Sequence, residues 1–318
     1  MSSFHYKIAQ KTQVGRLDII LTQSGIDLSR RKIRKLIDVG GVYINGTRVR
    51  MASKPVKIGD LVSVEYSAES FKIDKNQNYT LSDEEILYDA NDIIAINKPP
   101  GLNVHPTRSQ AIAHATACVE TWLKNQSRPK KHLQLVHRLD KETSGILLFA
   151  LTHEKATFLM DQFRERKIEK YYEAICFGAP KSQNFSVKCL LSGIDKNRGT
   201  VRIVDSDGKH SETVFELIAV NQKDGISLIG CYPLTGRSHQ LRVHLASKGL
   251  PIMGDKKYDP HPRSHISDAL KKLIQGHHML HAKRISFQAV PNVPDKVTIE
   301  ASAPKSFIKI RKTLVSIN

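Results

Sequence analysis

Acidic residues are in short supply. Thirty-one Asp and Glu stand against 49 Lys and Arg, a formal net charge of +18. That balance turns the chain toward polyanions, of which nucleic acid is the commonest. Cysteine is scarce too. Cys118, Cys176, Cys189 and Cys231 are the only four, and no two stand in C-x-x-C spacing, which excludes a zinc knuckle. Each lies in an apolar context and reads as a reduced thiol of a cytoplasmic protein. No run approaches 18 apolar residues, and the leading MSSFHYKIAQ has no apolar core, so neither a membrane span nor an export signal is expected. A phosphate loop and a tandem repeat are also missing. His239 and His244 are five apart, wrong for one helix face, and His277, His278 and His281 lack an acidic helper at ligand spacing. No metal or other cofactor is expected.

Cations are concentrated near the start. In LSRRKIRKLIDVGG, Ser29 is placed to cap a helix, Ile33, Leu36 and Ile37 share a face, and Gly40-Gly41 closes it. Arg30, Arg31, Lys32, Arg34 and Lys35 crowd the remaining surface. VYINGTRV reads as two short strands about an Asn45-Gly46 turn, and KIGDLVSVEY as a Gly59-Asp60 turn and an alternating strand. A basic helix backed by a hairpin suits a phosphate-binding platform; a solvated charged face is the plainer alternative. This stretch resembles the S4 domain, an RNA-binding module, through Arg16-Leu17-Asp18, Ser29-Arg30, the Gly41 to Gly46 hairpin and Gly59-Asp60. The resemblance implies RNA contacts at Arg16, Ser29, Arg30, Arg31, Lys32, Arg34 and Lys35.

Residues 15–66 are therefore expected to form a small α+β domain, the polar residues 67–82 a linker, and residues 83–318 a larger domain. In the latter, many apolar strand-like runs alternate with a few helical patterns, at 112–125, 153–167, 238–249 and from Pro304 onward. This fits α+β with a mixed, mainly antiparallel sheet and flanking helices, not the βαβ alternation of a doubly wound fold.

Within VHRLDKETSGILLFA, a charged cluster from His137 to Glu142 interrupts two apolar flanks. A turn needs only Thr-Ser-Gly. Asp140 lies between Arg138 and Lys141, and a carboxylate among cations stays ionised at neutral pH. It could act as nucleophile or general base, or simply turn the chain. The second cluster is PLTGRSHQLRVHLASKGLPIMGDKKY. Its expected helix carries His239 and Arg242 three apart on a polar stripe, beside an apolar stripe of Leu241 and Leu245. Such an arginine could hold a distant carboxylate, or form an ordinary surface pair.

These clusters resemble the motifs of the RluA family of RNA pseudouridine synthases. HRLDKETSGILLFA is similar to the active-site motif, KPPGLNVHP to the upstream one, and KIEKYYEAICFG to a K-x-Y-x-A segment through Lys170, Tyr172 and Ala174. GRSHQLRVHLASKGLPIMGDKKY and HHMLHAKRISF match two more, in order. The resemblance implies a catalytic Asp140, with Arg242, in preference to Arg237, as its partner, and Tyr172 stacking on a flipped base with its hydroxyl near C5. It leaves open whether Asp140 attacks ribose or base. Arg138, Arg237, His239 and Gln240 become candidate substrate contacts, with Lys98 and His105 from the upstream motif, whose loop after Asn97 could instead only brace the site. The implied enzyme is a cytoplasmic monomer without cofactor, acting on 23S ribosomal RNA or a large-subunit assembly intermediate. A non-catalytic, ribosome-associated S4 protein is the alternative.

Overall fold

The computed structural model describes residues 2–8, 14–66, 79–105, 113–128, 132–195, 198–259, 268–274 and 276–315. It falls into two compact units, and the second begins at Tyr79. Residues 67–78 of the expected linker lie outside the described residues.

In the first unit, a four-stranded sheet runs in the order Ser2–Lys7, Leu61–Tyr66, Val42–Ile44, Thr47–Val49. Asn45 and Gly46 both have positive φ, the primed turn that Asn-Gly favours. The basic helix is Arg30–Val39, capped by Ser29 and closed by left-handed Gly40. Ile33, Leu36 and Ile37 are buried with Leu17 and Leu21 of a second helix, Leu17–Gln23. The leading strand was not evident in the sequence; its Phe4 and Tyr6 pack against this core.

The second unit is built on an eleven-stranded sheet. At its centre Ile226–Pro233, Glu169–Phe177, Leu280–Gln288, Ser144–Ala150 and Ile93–Lys98 lie side by side. All pairings are antiparallel except that of Ser144–Ala150 with Leu280–Gln288. That parallel contact is short: Ser144 opposite His281 and Gly145 opposite Ala282. Beyond it, Leu280–Gln288 changes neighbour and pairs with Lys296–Glu300. The two backbones approach so closely that a Cβ at Gly145, whose φ is +108°, would lie 2.2 Å from the Ala282 carbonyl oxygen, so only glycine fits. This contact anchors the loop carrying Asp140.

Helices are Ala115–Asn125, His153–Arg164, Gln240–Ser247, Asp268–Leu273 and Lys305–Val315. Gln240–Ser247 is shorter than the helix expected at 238–249 and leaves His239 just outside it. Every residue from Gln240 to Leu245 is buried, and the polar side chains among them are paired inside the unit.

Candidate active site

The loop before Ser144–Ala150 is fixed from both ends. The Thr143 N–H donates to the Asp140 carbonyl at 3.1 Å, and the Lys141 carbonyl accepts from Gly101 N–H at 2.9 Å and from Lys98 Nζ at 3.0 Å. Lys98 is fully buried, and its ammonium also donates to the Pro99 and Leu102 carbonyls. Burial pulls it down to about 7, against the pull of Glu142 and Asp140. Lys98 is therefore a brace behind the loop, with its donors used on three carbonyls, the second of the two roles open to it. His105 is exposed and does not line the cleft described below.

Two hydroxyl–imidazole pairs secure the strand start. Thr143 Oγ1 is 2.9 Å from His278 Nε2, and Ser144 Oγ is 2.9 Å from His281 Nδ1. His244, on the buried face of Gln240–Ser247, is bonded to Ser211 and Thr213. Burial pushes the imidazoles of His244, His278 and His281 from the ordinary 6.5 down to about 4. Between those values the unfolded chain binds more protons than the folded one, so stability is full above 6.5 and is lost as pH falls toward 4. Thermal melts from pH 7.5 to 4 should show the midpoint dropping steadily below 6.5. A flat profile would contradict the neutral buried imidazoles.

The loop presents Asp140 with its side chain 20% exposed. Its Oδ2 accepts from Arg242 Nη1 at 3.1 Å. Among the described residues, no hydrogen bond reaches Oδ1. Arg242 is itself clamped: Nε and Nη2 donate to the two oxygens of Asp255 at 2.6 and 2.7 Å. Asp255 also accepts the backbone N–H of Lys257 and Tyr258, and the guanidinium lies 4.9 Å over the Tyr258 ring. Burial would raise the Asp255 carboxyl, but the hydrogen bonds and charge of Arg242 outweigh it and hold it below the usual range. So the carboxylate has one oxygen fixed and one open.

Asp140 opens on a cleft of about 520 Å³, lined also by Arg138, Tyr172, Arg237, His239 and Gln240, a size suited to a nucleotide. Tyr172 sits just after a register shift in Glu169–Phe177. Burial first, then the Asp140 charge, raises its hydroxyl well above the ordinary value, so it offers a neutral hydroxyl and not a phenolate base. Arg138 and Arg237 are exposed at the cleft, and Arg237 Nε donates to the His210 carbonyl. The Gln240 amide is fully engaged by protein: its oxygen accepts from Thr235 and the Arg237 N–H, and its nitrogen donates to Glu212 and Thr213. Gln240 therefore shapes the loop at the helix entry and has no donor left for a substrate.

Asp255 and Tyr258 were not foreseen, although both lie in the quoted GDKKY stretch. Arg164 and Arg166 add two unforeseen cations to the cleft, beside Lys170 of the K-x-Y-x-A segment. Among the described residues, no group of three His, Cys, Asp or Glu is placed to hold a metal ion.

The first unit has its own constellation. Asp18 is completely buried and receives three arginines: Arg16 Nε at 3.1 Å, Arg30 Nη2 at 3.2 Å and Arg34 Nη2 at 2.8 Å. Burial would raise its carboxyl, but the bonds from Arg16, Arg34 and Arg30 hold it at about 2. The arginine side chains remain about half exposed, at 48, 51 and 49%, and present their outer N–H groups to solvent. Ser29 is exposed, and its hydroxyl accepts the Lys32 N–H as a helix cap, which leaves its own O–H to donate. Arg31 and Lys32 are exposed, whereas the Lys35 side chain lies outside the described residues. Asp18→Asn makes the face more positive, so counterion release alone would tighten RNA binding. A neutral amide cannot gather three guanidinium groups. Affinity is therefore expected to fall about tenfold, or ~1.4 kcal/mol, in anisotropy titrations at fixed salt; tighter binding would refute the role of the buried carboxylate.

A model of the RNA pseudouridylate synthase family matches residues 92–247, and one of the S4 domain matches residues 15–62. An RNA pseudouridine synthase of Aquifex aeolicus is 32% identical, over 92% of this chain and 91% of its own length. Ribosomal large subunit pseudouridine synthase C of Vibrio parahaemolyticus is also 32% identical, over 95% of this chain and 92% of its own. Among solved structures, human RNA pseudouridylate synthase domain containing 4 superposes with a TM-score of 0.57 at 26% identity, covering 71% of this chain and 90% of that one.

Proposed function

The chain belongs to the RNA pseudouridylate synthase family, of the RluA type, and is an RNA pseudouridine synthase with an S4 domain; from that premise we propose that Asp140 is its catalytic carboxylate and large-subunit ribosomal RNA its substrate. The observation that carries the first part is the asymmetry of Asp140, with one oxygen held by Arg242 and the other open to the cleft. The substrate assignment draws on the relatives named for the ribosomal large subunit.

The reaction breaks the C1′–N1 bond of uridine and joins C1′ to C5. The proton lost from C5 is balanced by one gained at N1, so the product is an isomer. The base must leave its stack, at a cost of about a few kcal/mol. Arg138 and Arg237 at the mouth are suited to RNA phosphates, which position the strand without reading it. Tyr172 supplies a flat ring for the base and a neutral hydroxyl. Asp140 meets the nucleotide through Oδ1 as nucleophile or base, while Arg242 fixes Oδ2. A preset carboxylate avoids reorganisation during the reaction.

On this reading, residues 15–66 hold RNA, the stretch from 67 to about 78 links, and the unit that begins at Tyr79 catalyses, in a cytoplasmic monomer. The test is pseudouridine mapping in ribosomal and transfer RNA from cells with and without the gene. Loss of a large-subunit site supports the proposal, loss of a transfer-RNA site corrects the substrate, and loss of neither rejects it.

A further inference from the structure

We propose that His239 is a neutral hydrogen-bond donor to the uridine bound against Asp140, with Tyr258 as the positioning residue that decides which ring nitrogen carries the proton. This rests on Asp140 as the catalytic carboxylate and turns the general placement of His239 at the cleft into a defined role.

The tautomer follows from three groups. The Tyr258 phenol oxygen accepts the Val201 N–H at 2.7 Å and lies 2.7 Å from His239 Nδ1. A phenol has one hydrogen to give. Given to Nδ1, it satisfies the phenol, the imidazole and Val201 together. The reverse arrangement, Nδ1–H donating to the phenol, leaves the phenol hydrogen without an acceptor among the described residues. Nδ1 is therefore the acceptor, and the hydrogen of the neutral ring sits on Nε2.

Nε2 is 3.9 Å from Asp140 Oδ2, too long for a hydrogen bond. Nothing else among the described residues bonds to Nε2. The ring is only 10% exposed, yet it lines the cleft. An unmatched donor therefore points into the space beside the reactive carboxylate, where an oxygen of the bound nucleotide would complete it. Burial lowers the imidazole's proton affinity against the pull of Asp140, which keeps the ring neutral.

His239 has φ +57° and precedes Gln240–Ser247 in left-handed conformation. Asn, Asp and His are all enriched in that region, and Asn visits it routinely, so His239→Asn keeps a residue the turn accepts.

This supplies a test in which stability and catalysis point in opposite directions. The Gln amide reaches the place of ring Nε2; the Asn amide reaches only that of Nδ1. His239→Asn is expected to melt at or above the wild-type temperature and to lose about 10²-fold in kcat, the scale of one transition-state donor, with KM little changed. His239→Gln should melt lower yet retain more activity than His239→Asn. Tyr258→Phe should slow the wild-type enzyme, but it should cost His239→Gln nothing further, because no tautomer remains to be set. A purely structural Tyr258 would cost the same in both backgrounds. Rates are measured at steady state and in single turnover on RNA from cells lacking the gene, with Asp140→Asn alongside. If Asp140→Asn is inactive and His239→Asn equals or exceeds His239→Gln, the donor role is overturned alone. If Asp140→Asn retains the wild-type rate, the catalytic assignment fails and this role with it.

Discussion

Asp140→Asn is expected to lower pseudouridine formation by at least about 10³-fold, as loss of a nucleophile or general base does, while leaving RNA affinity and melting temperature close to wild type. The substitution is isosteric, and the local bonding explains why the fold should tolerate it. The loop is held by main-chain contacts through Thr143, Gly101 and Lys98, none of which uses the Asp140 carboxylate. Arg242 keeps both of its bonds to Asp255, so no buried cation is stranded. The amide oxygen can still accept from Nη1, but the open side loses its negative charge. A rate within tenfold of wild type in a single-turnover assay would remove Asp140 from the chemistry.

The second large effect is at Asp255, which contacts no substrate in this account. Its side chain is 1% exposed, and it takes two hydrogen bonds from Arg242. Asp255→Ala leaves the guanidinium buried with its main partner gone, a change that costs about 3–5 kcal/mol. The freed arginine no longer holds Asp140 in one place, so activity should fall by about 10²-fold beyond any loss through unfolding. Replacing the pair together, Arg242→Met with Asp255→Leu, separates the two consequences. An apolar pair of similar volume is often as stable as the ion pair it replaces, so denaturant melts should recover while activity stays lost. Wild-type stability and rate in Asp255→Ala would show that the clamp is dispensable.

How much of this was legible in the sequence depended on whether the cause was local. The Asn45-Gly46 hairpin, the capped basic helix and the antiparallel character of the sheet followed from turn chemistry and periodicity. Asp140 drew attention because charge interrupted an apolar run. Its pairing with Arg242, preferred over Arg237 on motif position, has a matching contact at 3.1 Å. For the helix expected at 238–249, the sequence left Arg242 either holding a distant carboxylate or forming an ordinary surface pair. Here Arg242 is buried against Asp255, a partner 13 residues away in a turn that periodicity cannot relate to a helix face. Lys98 became a candidate substrate contact only through its place in the KPPGLNVHP motif, with a bracing loop as the alternative. Its three carbonyl partners exist only once residues 99, 102 and 141 have come together. Asp18, by contrast, stood in the S4-like motif, but nothing local showed that it gathers arginines from positions 16, 30 and 34.

The bonds around the Asp140 loop join residues made at very different times. Lys98 grips it from the amino-terminal side, Arg242 arrives a hundred residues after Asp140, and His278 and His281 come later still. A nascent chain therefore exposes the arginines at positions 16, 30 and 34 long before it can present a clamped carboxylate at Asp140. The loop can be fixed from both sides only after residue 281 has been made.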